Sequence, residues 1–385
     1  GDCPMSERKP GKAARVPSIE GLRGLAALYV AIGHIATLID PNRLVWVGGF
    51  TEAYRQITRP LWFGHLAVAA FITISGFCLM LAYDQRRQRG PFDWWDYIKR
   101  RSRRILPPYY ACLAFSLLVC YTVTMHQAGM PWIQYLPVTQ ENMLAHVFMV
   151  HNLRPEWMYK INGVLWSIAI EYQIYFLFPL MVWLLRRTTA LGLLLATGYG
   201  AYWLTQNVPG GLKLYFWYLG LFAVGMVFAR LSSAKPQWVL PGTGVAGLGL
   251  MVWSGLLAWD RASILADIVI ATGIGLLMAA FWVRPESVVS RIVGCRPVAW
   301  LGLFSYSLYL MHHPIYQVVY VNHPAGLENA AEQFRYMLVV GLPAALVGSF
   351  LFFLVFERPF MTSSKRKPNE KPVESTPQLT GDTTP

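Results

Sequence analysis

The 385 residues contain ten apolar runs at or near the length that carries a helix across roughly 30 Å of hydrocarbon, which takes about 20 residues. They are Leu22–Ile39, Phe63–Tyr83, Ile105–Thr124, Gly163–Leu185, Thr188–Gln206, Leu212–Ala229, Trp238–Ala258, Ile264–Val283, Val298–Tyr320 and Tyr336–Phe356. The fifth is the weakest, being short and interrupted by Gly and Thr. A helix in lipid satisfies its own backbone hydrogen bonds, so the expected fold is all-α: a polytopic transmembrane bundle of about ten helices. Only 14% of the residues are charged, against about a quarter in soluble domains. That composition excludes a disordered chain, a coiled coil and a soluble nucleic-acid binder, despite a net charge of +13.

Lys and Arg are distributed unevenly between the runs. With the N-terminus placed in the cytoplasm, 25 of the 33 fall on the cytoplasmic side and 8 on the other, the asymmetry by which membrane proteins orient. Both termini are therefore expected inside, and much of the positive charge is orientation. Residues 1–17 read as a basic cytoplasmic arm, 18–360 as the transmembrane domain, and 361–385, rich in Lys, Pro, Ser and Thr, as a disordered tail. Met5 reads as a natural start. No long apolar stretch precedes the basic residues, so no cleavable signal is expected, and neither an internal repeat nor an appended soluble catalytic domain is evident. Met125–Asn162 is the one substantial outer loop, the size of a lid or recognition segment, with Trp132, Tyr135, His146, His151 and Trp157. The five cysteines form no CxxC pair and three lie in apolar runs, so neither a disulfide framework nor a metal site is suggested.

Ionisable groups inside a bilayer are costly and mark functional positions. Arg23 and His34 are eleven residues apart on the first run. At about 100° per residue they share a face to within ~20°, and at about 1.5 Å per residue they are offset by ~16 Å. One face thus carries a guanidinium near the cytoplasmic surface and an imidazole at depth. Each alone also fits a plainer role, an end-anchoring Arg and a packing His. On the fourth run Ser167, Glu171 and Tyr175 recur at i, i+4 and i+8 and share a face, as a polar packing stripe or as a catalytic or proton-relay carboxylate with its neighbours. A buried carboxylate needs a partner to stay ionised. The ninth run carries His312 and His313. From helix direction, His34, Glu171 and His312 are expected at comparable depth on the outer side. Asp267 lies near the outer end of the eighth run, where interfacial anchoring is expected.

The segment between the second and third runs is the densest in charge, with Arg86, Arg87 and Arg89 followed by Lys99-Arg100-Arg101-Ser102-Arg103-Arg104. It fits topogenic charge that also attracts anionic lipid. It equally suits a polyphosphate, which Arg binds through paired hydrogen bonds.

Six patterns in order resemble the acyltransferase-3 membrane family: Arg-x10-His at Arg23 and His34; Phe71-Ile72-Thr73-Ile74-Ser75-Gly76-Phe77, with Ile72 where the family has a second Phe; Arg-x-x-Arg-Ile-x-Pro at Arg101, Arg104, Ile105 and Pro107; Trp166 to Glu171, with Ile168 for a usual Leu; Ser305, Tyr306, Tyr309, Leu310, His312 and Pro314; and Glu357-Arg358-Pro359. The resemblance spans about Ser18 to Phe360. Any one match is weak, and the ordered set is strong.

The resemblance implies a multi-pass enzyme of the bacterial inner membrane. It would move an acyl group, usually acetyl, from cytoplasmic acyl-CoA to a hydroxyl of an extracytoplasmic glycan or glycolipid, with acetyl-CoA as co-substrate, no permanently bound cofactor and membrane lipid as surroundings. A sugar hydroxyl is a poor nucleophile at neutral pH and needs a general base, for which neutral His is suited. On this reading His34 is the base, Glu171 orients it or its partner, and Arg23, Arg101 and Arg104 hold the donor phosphates. His312 relays protons, polarises the thioester or packs, and Ser75 or His34 is a candidate acyl carrier. The competing reading is a proton-coupled transporter or flippase of a sugar-containing substrate, since His and Glu within ten helices suit that too. A third is an acetyl-CoA-dependent enzyme acting on a lipid or small molecule.

Overall fold

The computed structural model describes residues 16–39, 58–259, 263–327 and 329–361. The expected basic arm, apart from its last two residues, and the tail beyond residue 361 lie outside the described residues. The long helices are α1 (Pro17–Ile39), α2 (Gly64–Arg87), α3 (Trp94–Thr124), α4 (Leu165–Arg187), α5 (Ala190–Asn207), α6 (Tyr218–Ala234), α7 (Thr243–Trp259), α8 (Ser263–Val283), α9 (Arg296–Leu303), α10 (Ser305–Val321) and α11 (Ala330–Phe360). Among the described residues there is no strand. The fold is all-α, as expected.

All ten apolar runs fall on helices. Six of these helices (α1, α2, α3, α4, α8 and α11) are long and apolar enough to cross a membrane. The remaining runs give shorter or more polar helices. The sixth starts at Tyr218 rather than Leu212, because Gly210 at φ +73° and Gly211 form a turn ahead of it. The ninth is not one span. It breaks at Phe304 into α9 and α10, where Gly302 brings its backbone against α1: a Cβ there would stand 2.0 Å from the carbonyl oxygen of Glu20.

Lipid tails are as apolar as the side chains they replace, so helices in a bilayer associate through close packing at small residues. The glycines fall where this predicts. Gly24 meets Gly302 across the α1–α9 contact, and Gly76 meets the Phe222 carbonyl where α2 crosses α6. Phe77, Phe178 and Phe222 fill the space around the second crossing and are fully buried. The periphery is also apolar: Leu180 of α4, Leu195 of α5, Val252 and Leu256 of α7, and Val347 and Leu351 of α11 are exposed. An apolar surface of this extent is a lipid-facing one, and the chain is a multi-pass membrane protein.

The outer loop is folded rather than open. A short helix, Gln140–Val147, starts at Thr139, whose hydroxyl accepts from Asn142 N while the Asn142 side chain accepts from Thr139 N. Asn152 and Gln173 exchange side-chain amide bonds of 3.0 and 2.8 Å and fasten the loop to α4. The loop's end is drawn into the bundle: Ile161, Asn162 and Val164 are fully buried. Asn162 Nδ2 donates to the Leu310 carbonyl (3.3 Å) and to Ser116 Oγ (3.0 Å), so α4 begins at the level of the middle of α10.

Candidate active site

The crossing of α1 and α10 joins two histidines that sequence order alone could not place together. His34 Nδ1 lies 2.7 Å from His312 Nε2, with the rings near parallel at a centroid separation of 5.0 Å. His312 Nδ1 lies 2.8 Å from the carbonyl oxygen of Leu308, one turn back on the same helix. A carbonyl only accepts, so the proton sits on His312 Nδ1. With both rings neutral, His312 Nε2 is a lone-pair acceptor and His34 Nδ1 is the donor. His34 Nε2 is then unprotonated, as a base must be. His313 stands edge-on to His34 at 5.9 Å and to Tyr135 of the outer loop at 4.7 Å.

Below this pair, toward the arginine-bearing end of the bundle, a narrow cleft of about 30 Å³ is lined by Arg23, Ser75, Ser167, Glu171, Tyr306 and Tyr309 among others. Tyr309 connects the two levels. Its ring is 6.1 Å from that of His312, and its hydroxyl is 2.6 Å from Ser167 Oγ. Ser167 Oγ donates to the Val164 carbonyl (3.1 Å), so Tyr309 is the donor to Ser167. One α4 turn further, Glu171 Oε1 accepts hydrogen bonds from both Ser75 Oγ and Tyr175 OH. The i, i+4 spacing of Glu171 and Tyr175 puts both on one face, and Ser75 reaches the same oxygen from α2.

Arg101 lies 5.7 Å over the ring of Tyr175, and Arg23 and Arg104 sit close enough to Tyr175 and to each other to interact electrostatically. The ion pairs among the described residues are Arg100–Asp96, Arg230–Asp84 and His65–Asp267. None occupies Arg23, Arg101 or Arg104, so three guanidiniums converge without a carboxylate in salt-bridge contact. Glu357 instead accepts from Ser307 N (3.1 Å) and Ser307 Oγ (2.5 Å), which ties the closing Glu-Arg-Pro segment to α10.

The geometry corrects two expectations. Glu171 is not the partner of His34, and it lies at the level of Arg23 rather than of the histidines. The cause is the buried start of α4 beside Leu310, which lowers every α4 residue relative to a helix begun at the outer surface. Asp267 is not an interfacial anchor. It is fully buried, with Oδ2 accepting from Trp217 Nε1 at 2.9 Å. Sequence reasoning missed Asn162, which fixes the α4 start. No local pattern marks such a loop residue. His313 was visible as a second histidine, but only the fold shows it facing His34. Among the described residues no three His, Cys, Asp or Glu side chains converge as a metal site would need.

Residues 16–357 match the acyltransferase-3 family, described as an acyltransferase domain, and the chain belongs to that family. It is similar to the peptidoglycan O-acetyltransferase OatA of Listeria monocytogenes, 25% identical over 341 residues that cover 78% of this chain and 49% of that protein. It is also similar to the O-acetyltransferase OatA of Staphylococcus aureus, 25% identical over 345 residues covering 80% and 51%. A putative O-acetyltransferase of S. aureus is 22% identical over 405 residues, covering 94% and 60%. The chain thus spans about half the length of the OatA proteins it matches. No solved structure matches it.

Proposed function

We propose that the chain is an O-acetyltransferase of the bacterial inner membrane, with its termini in the cytoplasm. It takes an acetyl group from cytoplasmic acetyl-CoA and passes it to a hydroxyl of an extracytoplasmic glycan. The observation that carries this reading is the ordered chain Leu308 carbonyl–His312–His34, which leaves His34 Nε2 as a free base. Donor phosphates bind Arg23, Arg101 and Arg104, and the pantetheine arm runs up the cleft past Glu171 and Tyr309. The ~16 Å offset between Arg23 and His34 is the distance this arm covers.

In the transfer, His34 Nε2 takes the proton of the acceptor hydroxyl as its oxygen attacks the thioester carbonyl. The C–S bond breaks, and the proton on His34 passes to the departing thiolate. His312 accepts from Nδ1 of His34 throughout and stabilises the imidazolium that forms. Membership of an acyltransferase family and the names of the relatives favour this over proton-coupled transport. The test is reconstitution in proteoliposomes with acetyl-labelled acetyl-CoA outside and peptidoglycan fragments within. Label recovered as an O-ester on the glycan supports the reading. Movement of glycan out of the liposomes without acetylation contradicts it.

A second reading is favoured by one contact. Ser75 donates its hydroxyl to Glu171 inside the cleft, the arrangement of a nucleophile and its base. Acetyl would then rest on Ser75 as an ester before reaching the acceptor. Label bound to protein in the absence of acceptor, and lost in Ser75→Ala, supports this relay; transfer undiminished in Ser75→Ala excludes it.

A further inference from the structure

A second cleft, of about 450 Å³, opens at the arginine-bearing end between α2, the turn to α3, and the end of α4. We propose that it binds the purine-nucleotide end of the acyl donor, with a flat heteroaromatic ring on its aromatic wall and a phosphate monoester on its arginines. This rests on the acyl-CoA reading of the donor and uses none of the arginines already assigned.

One wall is rigid and aromatic. Tyr83 and Trp94 lie near parallel with ring centroids 5.6 Å apart, and Phe92 packs 4.6 Å from Trp94. Trp183 of α4, 55% exposed, stands among the lining residues with its ring free of that cluster. Aromatic faces of this kind stack on nucleobases. The mouth carries Arg87, Arg186 and Arg187. Arg186 Nη1 is 3.4 Å from the hydroxyl of Tyr83, which turns its guanidinium toward the cleft. No carboxylate lines it, and the nearby acids are engaged: Asp84 with Arg230 and Asp96 with Arg100, while Asp93 caps α3. Three unneutralised guanidiniums beside stacked rings are a site for an aromatic phosphate rather than for a simple anion.

The placement fits a donor whose diphosphate sits at Arg101. That residue covers Tyr175, and at about 1.5 Å per residue Pro179, Trp183 and Arg186 follow ~6, ~12 and ~16 Å further along α4. A ring joined to the diphosphate through ribose falls between Pro179 and Trp183, and a ribose phosphate falls at Arg186 and Arg187. Tyr97 and Phe178, 5.4 Å apart, continue the aromatic wall between the two sites.

Arginine would hold the phosphate of an anionic lipid headgroup by the same bonds, so the test separates the two sources. The full chain is placed in nanodiscs of phosphatidylcholine alone or with phosphatidylglycerol, and binding of adenosine 3′,5′-bisphosphate is measured. The double variant Arg186→Gln/Arg187→Gln is expected to raise its Kd about tenfold or more in both lipids, and Trp183→Ala to raise it severalfold. The loss of kcat/KM for acetyl-CoA should exceed that for acetyl-pantetheine, which lacks the nucleotide, by a similar factor. Both variants alter exposed side chains, and unchanged thermal unfolding verifies their fold. Equal binding by variant and wild type overturns the proposal, as does a difference present only with phosphatidylglycerol. Turnover of acetyl-pantetheine by the wild type reports the acyl-transfer reading separately: its absence, with acetyl-CoA also inert, sinks that reading rather than this site.

Discussion

Glu171 accepts two hydrogen bonds on one oxygen, from Ser75 of a neighbouring helix and from Tyr175 one turn along its own, at the level of the bundle where Arg23 enters. This network joins α2 to α4 and lines the cleft between Arg23 and Tyr309. Four consequences are open to measurement.

Replacing Glu171 by Leu strands two donors in a low-dielectric site, at about 1–3 kcal/mol each. Glu171→Gln keeps an acceptor oxygen and should lose less. Thermal unfolding in detergent is expected to rank wild type, Glu171→Gln and Glu171→Leu in descending order. Equal midpoints would show that the network carries no stability.

His312 sets the proton on His34 through a lone pair. His312→Leu removes the acceptor, whereas the amide oxygen of His312→Gln can still accept from His34 Nδ1. We expect kcat to fall by about 10²–10⁴ in His312→Leu, the range of a general base, and by less in His312→Gln, with KM for acetyl-CoA little changed in both. An unaltered kcat in His312→Leu would remove this histidine from the mechanism.

Helix contact at Gly76 leaves no room for a methyl: a Cβ there would stand 2.2 Å from the Phe222 carbonyl oxygen. Gly76→Ala should lower stability by about 1–3 kcal/mol, the range for overpacking, and slow transfer by moving Ser75. Gly249 is the control, since a Cβ there would meet nothing within 4 Å. Thermal unfolding of Gly249→Ala should match or slightly exceed wild type, because alanine favours helix.

The outer loop should loosen in acid. His146 and His151 stack at a centroid distance of 3.8 Å and are fully buried. Burial lowers His146 to about 4, and burial together with the neighbouring His146 holds His151 well below its ordinary value. Above about pH 7.5 both are neutral, folded or unfolded, and pH has no effect. As pH falls from there toward 4, the undocked loop binds protons that the docked loop refuses, so docking weakens. Protease cleavage within residues 125–163 should accelerate over that interval in the wild type and far less in His146→Leu/His151→Leu. A flat wild-type profile would contradict the assignment.

The transmembrane organisation was legible because a bilayer imposes length and apolarity on every crossing, and Arg23, His34 and Glu171 stood out as costly charges against that background. What was not legible came from places where the chain departs from a straight crossing. Phe304 breaks the ninth run because Gly302 packs on Glu20, a contact between distant segments. Asn162 sinks the start of α4 to the level of Leu310, which separates Glu171 from His34. The His34–His312 bond depends on two helices meeting at one height, and helix periodicity carries no information about lateral neighbours.

The central claim is that His34 Nε2, aligned by His312, deprotonates the acceptor. The most direct test is the initial rate of label transfer from acetyl-CoA to glycan by His34→Ala in proteoliposomes, with thermal unfolding and donor binding matched to wild type. The account predicts a fall of about 10² or more with donor binding retained. Transfer at the wild-type rate would contradict it.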